Sequence, residues 1–171
     1  MPRPPAVPLQ AHVDAAALAR SGSTIERQYR AADLQRLSEA GVSPDSTLHA
    51  RFTFAEMDGK PVVEGELSGA LTTTCQRCMR PVSIDLAESF KVMIESQERE
   101  DEPGGYEPLI AEAARFDLRW LAEEQALLAL PLVPMHEDEH CSEVHSVETP
   151  TASEEVHQKP FANLRDLLGK S

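Results

Sequence analysis

Leu48-His49-Ala50-Arg51-Phe52-Thr53-Phe54 places an apolar side chain at every second position, with polar ones between. Side chains of an extended strand point alternately to its two faces, so a period of two specifies a strand buried on one side. Asp58-Gly59 comes next, a dipeptide that tolerates the positive φ angles of a tight hairpin turn. Beyond it, Val63, Leu67, Leu71 and Cys75 share one face, and Glu64, Glu66, Thr72 and Thr74 share the other. A third run sets Val82, Ile84, Leu86, Phe90, Val92 and Ile94 together, with Ser83, Asp85 and Lys91 opposite. Three such strands joined by short turns predict an antiparallel β-meander. The fold class expected is α+β: a partly closed, barrel-like sheet carrying short helices, with a disordered acidic segment near the C-terminus.

Outside the meander the signals are local. Asp14 before Ala15-Ala16-Ala17-Leu18-Ala19-Arg20, with Gly22 after, predicts a short helix with its N-cap and its terminating glycine. Residues 24–29 read as a strand and 33–40 as a second short helix closed by Gly41. Leu109 to Phe116 reads as another strand. Asp117 then caps a helix over 118–130 that Pro131 stops. Its apolar stripe is expected to hold Trp120, Leu121, Leu127 and Leu128. Glu124 falls within that stripe and is expected to reach its edge or to pair with a base such as Arg119. Pro131-Leu132-Val133-Pro134-Met135 is an extended segment leading to His136. The boundaries expected are a flexible leader over 1–11, one domain over 12–141, an acidic disordered linker over 142–157 and a C-terminal amphipathic helix over 158–171.

The 171 residues are enough for one domain of ordinary size, and 41% of them are hydrophobic. Aromatics reach only 5%, so Leu, Val, Ile and Ala must build most of the core. No apolar run approaches the ~20 residues that span a bilayer. Met1-Pro2-Arg3-Pro4-Pro5 lacks the apolar stretch of a secretory signal. An odd number of cysteines suits reduced thiols in a cytoplasm better than a disulfide framework. The net charge of −13 is concentrated: residues 136–157 carry −7 and residues 95–102 carry −4, leaving a nearly neutral body. Such stretches are solvated loops, or they attract a basic protein and repel nucleic acid.

All three cysteines lie in two islands. Cys75-Gln76-Arg77-Cys78 falls in the turn between the second and third meander strands, and His136-Glu137-Asp138-Glu139-His140-Cys141 begins 58 residues after Cys78. Two thiols at knuckle spacing, a distant third and an imidazole beside it match the ligand types and number of a structural zinc site. The set expected is Cys75, Cys78, His136 and Cys141. Coordination by the adjacent His140 and Cys141 together would strain the chain, whereas His136 leaves four residues between ligands, so His136 is favoured and His140 is its substitute or a partner just outside the ligand shell. A thioredoxin-like redox pair is disfavoured, because that chemistry places a helix after the CxxC and here a strand follows. A catalytic zinc would keep an open position and use Glu137 or Glu139 as base, but three thiolates make bound zinc a weak Lewis acid. Thiols that bind no metal, with Cys75 simply facing the core, remain an alternative.

Cys75-Gln76-Arg77-Cys78 with Pro81, Leu128-Ala129-Leu130-Pro131-Leu132-Val133-Pro134-Met135-His136, His140-Cys141 and Lys159-Pro160-Phe161-Ala162, in this order, resemble the bacterial YceD family over roughly residues 10–170. This chain departs from many relatives in having Lys159 before the Pro-Phe pair and Gln125 after Glu123-Glu124. The resemblance implies a part in accumulation, processing or stability of large-subunit (23S) ribosomal RNA, with no enzymatic reaction attached. Direct RNA binding is expected to be weak or absent, because phosphate contacts need a basic face and the arginines here are scattered. The partner expected is therefore a basic ribosomal protein or another assembly factor, reached by electrostatic steering. The alternatives from other classes are a zinc-dependent hydrolase or nuclease acting on RNA, and a metal-delivery module.

Overall fold

The computed structural model describes residues 12–97 and 103–142. The expected leader, the acidic linker beyond Ser142 and the C-terminal helix lie outside the described residues.

A five-stranded sheet organises the chain. Its strands are β2 (Thr24–Arg30), β3 (Thr47–Met57), β4 (Lys60–Thr74), β5 (Pro81–Glu95) and β6 (Glu107–Ile110), adjacent in that order. Pairing from β2 through β5 is antiparallel, as the alternating pattern and the Asp58-Gly59 turn demand. Both turn residues take positive φ, 52° and 76°, the conformation whose twist matches the flanking strands. A two-residue strand β1 (His12–Val13) pairs separately with β7 (Phe116–Asp117).

Among the described residues, three α-helices complete the fold: α1 (Ala15–Ser21), α2 (Gln35–Glu39) and α3 (Leu118–Ala129). Asp14 caps α1 by accepting from the Ala17 amide at 2.8 Å, and Gly22 ends it at φ 61°. Asp117 caps α3 through the amides of Arg119 and Trp120. All three helices bury residues in one cluster with a single face of the sheet. Ala15 and Ala19, Leu37, and Leu118, Leu121, Ala122 and Ala126 meet Phe52, Phe54, Val63, Leu67, Leu71, Leu86 and Val92 there. The result is a two-layer α+β domain.

The opposite face is charged and solvated. Register places Arg51 directly between Glu26 and Glu66, and Glu64 opposite Lys91. Arg51 bonds Glu26 at 2.9 Å, and Lys91 meets Glu64 at 3.0 Å. At one end this face is also buried: Val62 opposes Met93, and Glu95 pairs with Lys60 at 2.5 Å.

Four expectations are corrected. The sheet is open, with β2 and β6 as separate edges, so it is not the partly closed barrel expected. Closure would require those two strands to pair, and the register stops short of it. The strand foreseen over 109–116 is the shorter β6, which runs parallel to the end of β5. A 3-10 turn over Ala113–Arg115 then separates it from β7. Finally, half of the stripe expected on α3 holds: Leu121 is buried and Leu127 packs against the core, but Trp120 and Leu128 are exposed, and Leu118, Ala122 and Ala126 face inward in their place. Glu124 pairs with a base as expected, but that base is Arg36 and not Arg119, and its neighbour Glu123 is the carboxylate that lies buried.

Candidate metal centre

Strand β4 ends at Thr74 and β5 begins at Pro81, so Cys75 and Cys78 sit in the turn of the longest hairpin. The turn is built as a knuckle. Cys75 donates its amide to the Arg80 carbonyl at 2.9 Å, and Met79 donates back to the Cys75 carbonyl at 2.9 Å. Met79 adopts φ 58°, a left-handed conformation that a side chain rarely takes and that lets the loop fold back on itself.

The strap over residues 131–135 carries the distant ligands to this turn. α3 ends at Ala129 with Leu130 in an extended conformation before Pro131, and the strap then bends at Leu132 and Val133 rather than running straight as expected. The Gln76 amide then donates to the Pro134 carbonyl at 2.8 Å, which docks the strap on the knuckle. Arg77 donates to the Asp138 carbonyl at 2.9 Å, and Arg80 donates to the Cys141 carbonyl. Both guanidinium groups therefore hold the second island in place.

Cys75, Cys78, His136 and Cys141 come together so that one ligand atom of each lies within 4.8 Å of all the others. Cys75 and Cys141 sulfurs are 4.0 Å apart, and Cys78 sulfur lies 3.4 Å from His136 Nδ1. Cys75 and Cys141 are buried, packing with Val82 in a small cluster apart from the main core. His140 stands outside the group, exposed, with its amide donating to Asp138 Oδ1 at 2.9 Å.

The chemistry of the donor set fits a soft divalent cation. Burial pushes the Cys75 thiol up, but the amides of Cys78, His136 and Arg77 directed at its sulfur outweigh this and bring it down to about 5. Backbone amides converging on a sulfur in a turn form an anion nest, the usual mounting of a knuckle thiolate. Burial likewise raises Cys78, and the amide and guanidinium of Arg80 bring it below its ordinary value. Cys141 stays above its ordinary value through burial and its neighbouring sulfurs. His136 Nε2 lies 3.0 Å from the Pro81 carbonyl, which can only accept. That bond places the proton on Nε2 and leaves the Nδ1 lone pair facing the sulfurs, the ligand-orienting arrangement common around metals. Three sulfurs and one imidazole nitrogen can hold a metal ion, and four protein donors fill a tetrahedral shell. Glu137 and Glu139, the bases considered for a catalytic site, are exposed.

Sequence spacing could bring out these four residues. It could not bring out Arg77 and Arg80 as the side chains that fix the second island, because their partners are carbonyl groups 61 residues downstream.

Among the described residues, no helix is long and apolar enough to cross a membrane. No solved structure matches the chain. A protein of Haemophilus influenzae named "Large ribosomal RNA subunit accumulation protein YceD" is 34% identical over 150 residues, covering 83% of this chain and 86% of its own. The family described as "Large ribosomal RNA subunit accumulation protein YceD" matches residues 63–168, a span that includes both islands. With more than half of its length matched in this way, the chain belongs to the YceD family.

Proposed function

We propose that this protein is a non-enzymatic accessory factor for the synthesis, processing or stability of large-subunit ribosomal RNA. It works in the cytoplasm through a basic protein partner, with a structural zinc held by Cys75, Cys78, His136 and Cys141. Membership of a family named for accumulation of that RNA carries the reading. The donor set supports the zinc assignment: three thiols and an imidazole suit zinc rather than calcium or magnesium, which prefer oxygen. Zinc would fix the strap to the knuckle, and four protein ligands leave it no position for a reacting water. This speaks against the hydrolase alternative. Burial of Cys75 and Cys141 speaks against the delivery module, whose cargo must leave readily.

The test is depletion of the protein followed by rescue, with large-subunit ribosomal RNA measured against the small-subunit RNA. The native chain is expected to restore the ratio, and Cys75→Ser and Cys141→Ser are expected to fail. Full rescue by both variants would remove the metal centre from the function. Elemental analysis of the untagged protein is expected to find about one zinc per chain.

A further inference from the structure

Seven large apolar side chains stand exposed among the described residues, and five of them belong to the knuckle turn, the end of α3 and the strap. Met79 is on the knuckle turn, Leu128 on the last turn of α3, and Leu132, Val133 and Met135 on the strap. Leu132 is 98% exposed, so it contributes almost nothing to the packing of its own chain. Between α3, the strap and the knuckle runs a groove of about 400 Å³, lined by Leu127, Leu130 and residues 131–134, with Ala40, Thr73 and Gln76 completing its wall. Concentrated apolar exposure of this kind on an otherwise solvated protein marks a binding surface.

The groove is set in advance. Pro131 and Pro134 fix their own φ angles, and the bond from the Gln76 amide to the Pro134 carbonyl ties the strap down. A partner would meet a surface that needs little ordering.

The sequence that leaves the strap is acidic. Glu137, Asp138 and Glu139 follow the strap directly and are exposed. On the knuckle, the guanidinium groups of Arg77 and Arg80 are turned onto the carbonyls of Asp138 and Cys141. Charge therefore selects the occupant. RNA phosphates would meet carboxylates and find no basic face. A second copy placed symmetrically would bring like charges together, which costs affinity. A basic polypeptide with apolar side chains among its lysines and arginines matches both parts of the surface.

We propose that the strap and groove form the docking site for a short segment of a basic protein, its apolar side chains entering between α3 and the strap and its cationic ones meeting Glu137–Glu139. This rests on the reading that the protein acts through a basic partner, and it names the surface that partner uses.

The probe is the RNA-free protein fraction extracted from purified large ribosomal subunits, offered to the full chain. The proteins retained are identified by mass, and the strongest is then titrated in purified form. Three variants are compared with the native chain: Leu132→Ser with Val133→Ser, Glu137→Gln with Glu139→Gln, and deletion of residues 158–171. Circular dichroism and zinc content serve as controls for folding. The apolar pair is expected to weaken binding about tenfold or more. The acidic pair is expected to weaken it too and to flatten its salt dependence. Unchanged affinity in the apolar pair would overturn the docking site while leaving the basic partner standing. Tighter binding after the deletion would show that the chain's own C-terminal segment occupies the groove, which also overturns the assignment. If the native chain retains nothing, the basic-partner reading falls and the docking site with it.

Discussion

At Cys75 the amides of Arg77, Cys78 and His136 converge on one sulfur, so the thiolate is favoured before any cation arrives. This has a consequence for pH that the metal-free protein can show. Folding lowers this thiol from 9.0 to about 5, so between those values the folded chain holds fewer protons at this position than the unfolded one. Its contribution to stability is complete above pH 9 and is lost as pH falls through 5. Urea midpoints of the metal-free protein, compared with those of Cys75→Ser, are expected to diverge as pH rises across that interval. His136 is raised by its bond to Cys75, against burial and with the Pro81 carbonyl adding to the rise, so it acts in the opposite sense. Cys75→Ser removes the bond that raises His136 as well, so the divergence reads the net of the two groups, in which the larger shift of the thiol sets the sign. Sequence could nominate the cysteines from their spacing. It could not reveal the convergence of amides, because one of the three belongs to a residue 61 positions away.

Among the elements, α2 depends on another for its start. Its N-cap position is Leu34, which has no side-chain acceptor. Glu123 of α3 fills the place, accepting from the amides of Arg36 at 2.6 Å and Leu37 at 3.2 Å. A buried carboxylate against a helix N-terminus is favoured both as acceptor and as charge. Glu123→Ala is expected to destabilise the fold by about 1–2 kcal/mol in urea denaturation, with Glu123→Gln recovering part of the loss. The sequence drew attention to the neighbouring Glu124, since a cap supplied from another helix leaves no local trace. Part of the inward stripe of α3 is hidden from sequence for a related reason: Ala122 and Ala126 face inward, and small side chains carry a weak periodic signal. By contrast, the alternation in β3 and β5 was plain, because it records burial on one face along a whole strand. Gly69 on β4 could not be interpreted at all. A Cβ there would lie 2.4 Å from the Thr47 carbonyl oxygen, so Gly69→Ala is expected to cost about 1–3 kcal/mol in the same measurement.

For the molecule as a whole, the separation of two buried clusters predicts how it comes apart. The larger joins the helices to the sheet, and the smaller holds only the cysteines of the two islands and their immediate packing. Chelation is therefore expected to release the strap without melting the sheet. In hydrogen exchange the amides of Gln76 and Cys141 would lose protection, while those of β3 and the middle of β4 keep theirs. Simultaneous loss everywhere would mean that the two clusters are one cooperative unit. The α+β class was evident from the alternating runs and the helix caps. The openness of the sheet was not, since it turns on β6, four residues that lie parallel to a strand from which they are separated by a loop. The spacing of the two islands finally bears on the order of synthesis. A ribosome delivers Cys75 and Cys78 early and His136 only 58 residues later, when β5, β6 and α3 have already left the exit tunnel or fill it. A nascent chain thus cannot assemble the full ligand set until nearly all of the sheet has been made, so capture of an ion would report that translation of the domain is complete.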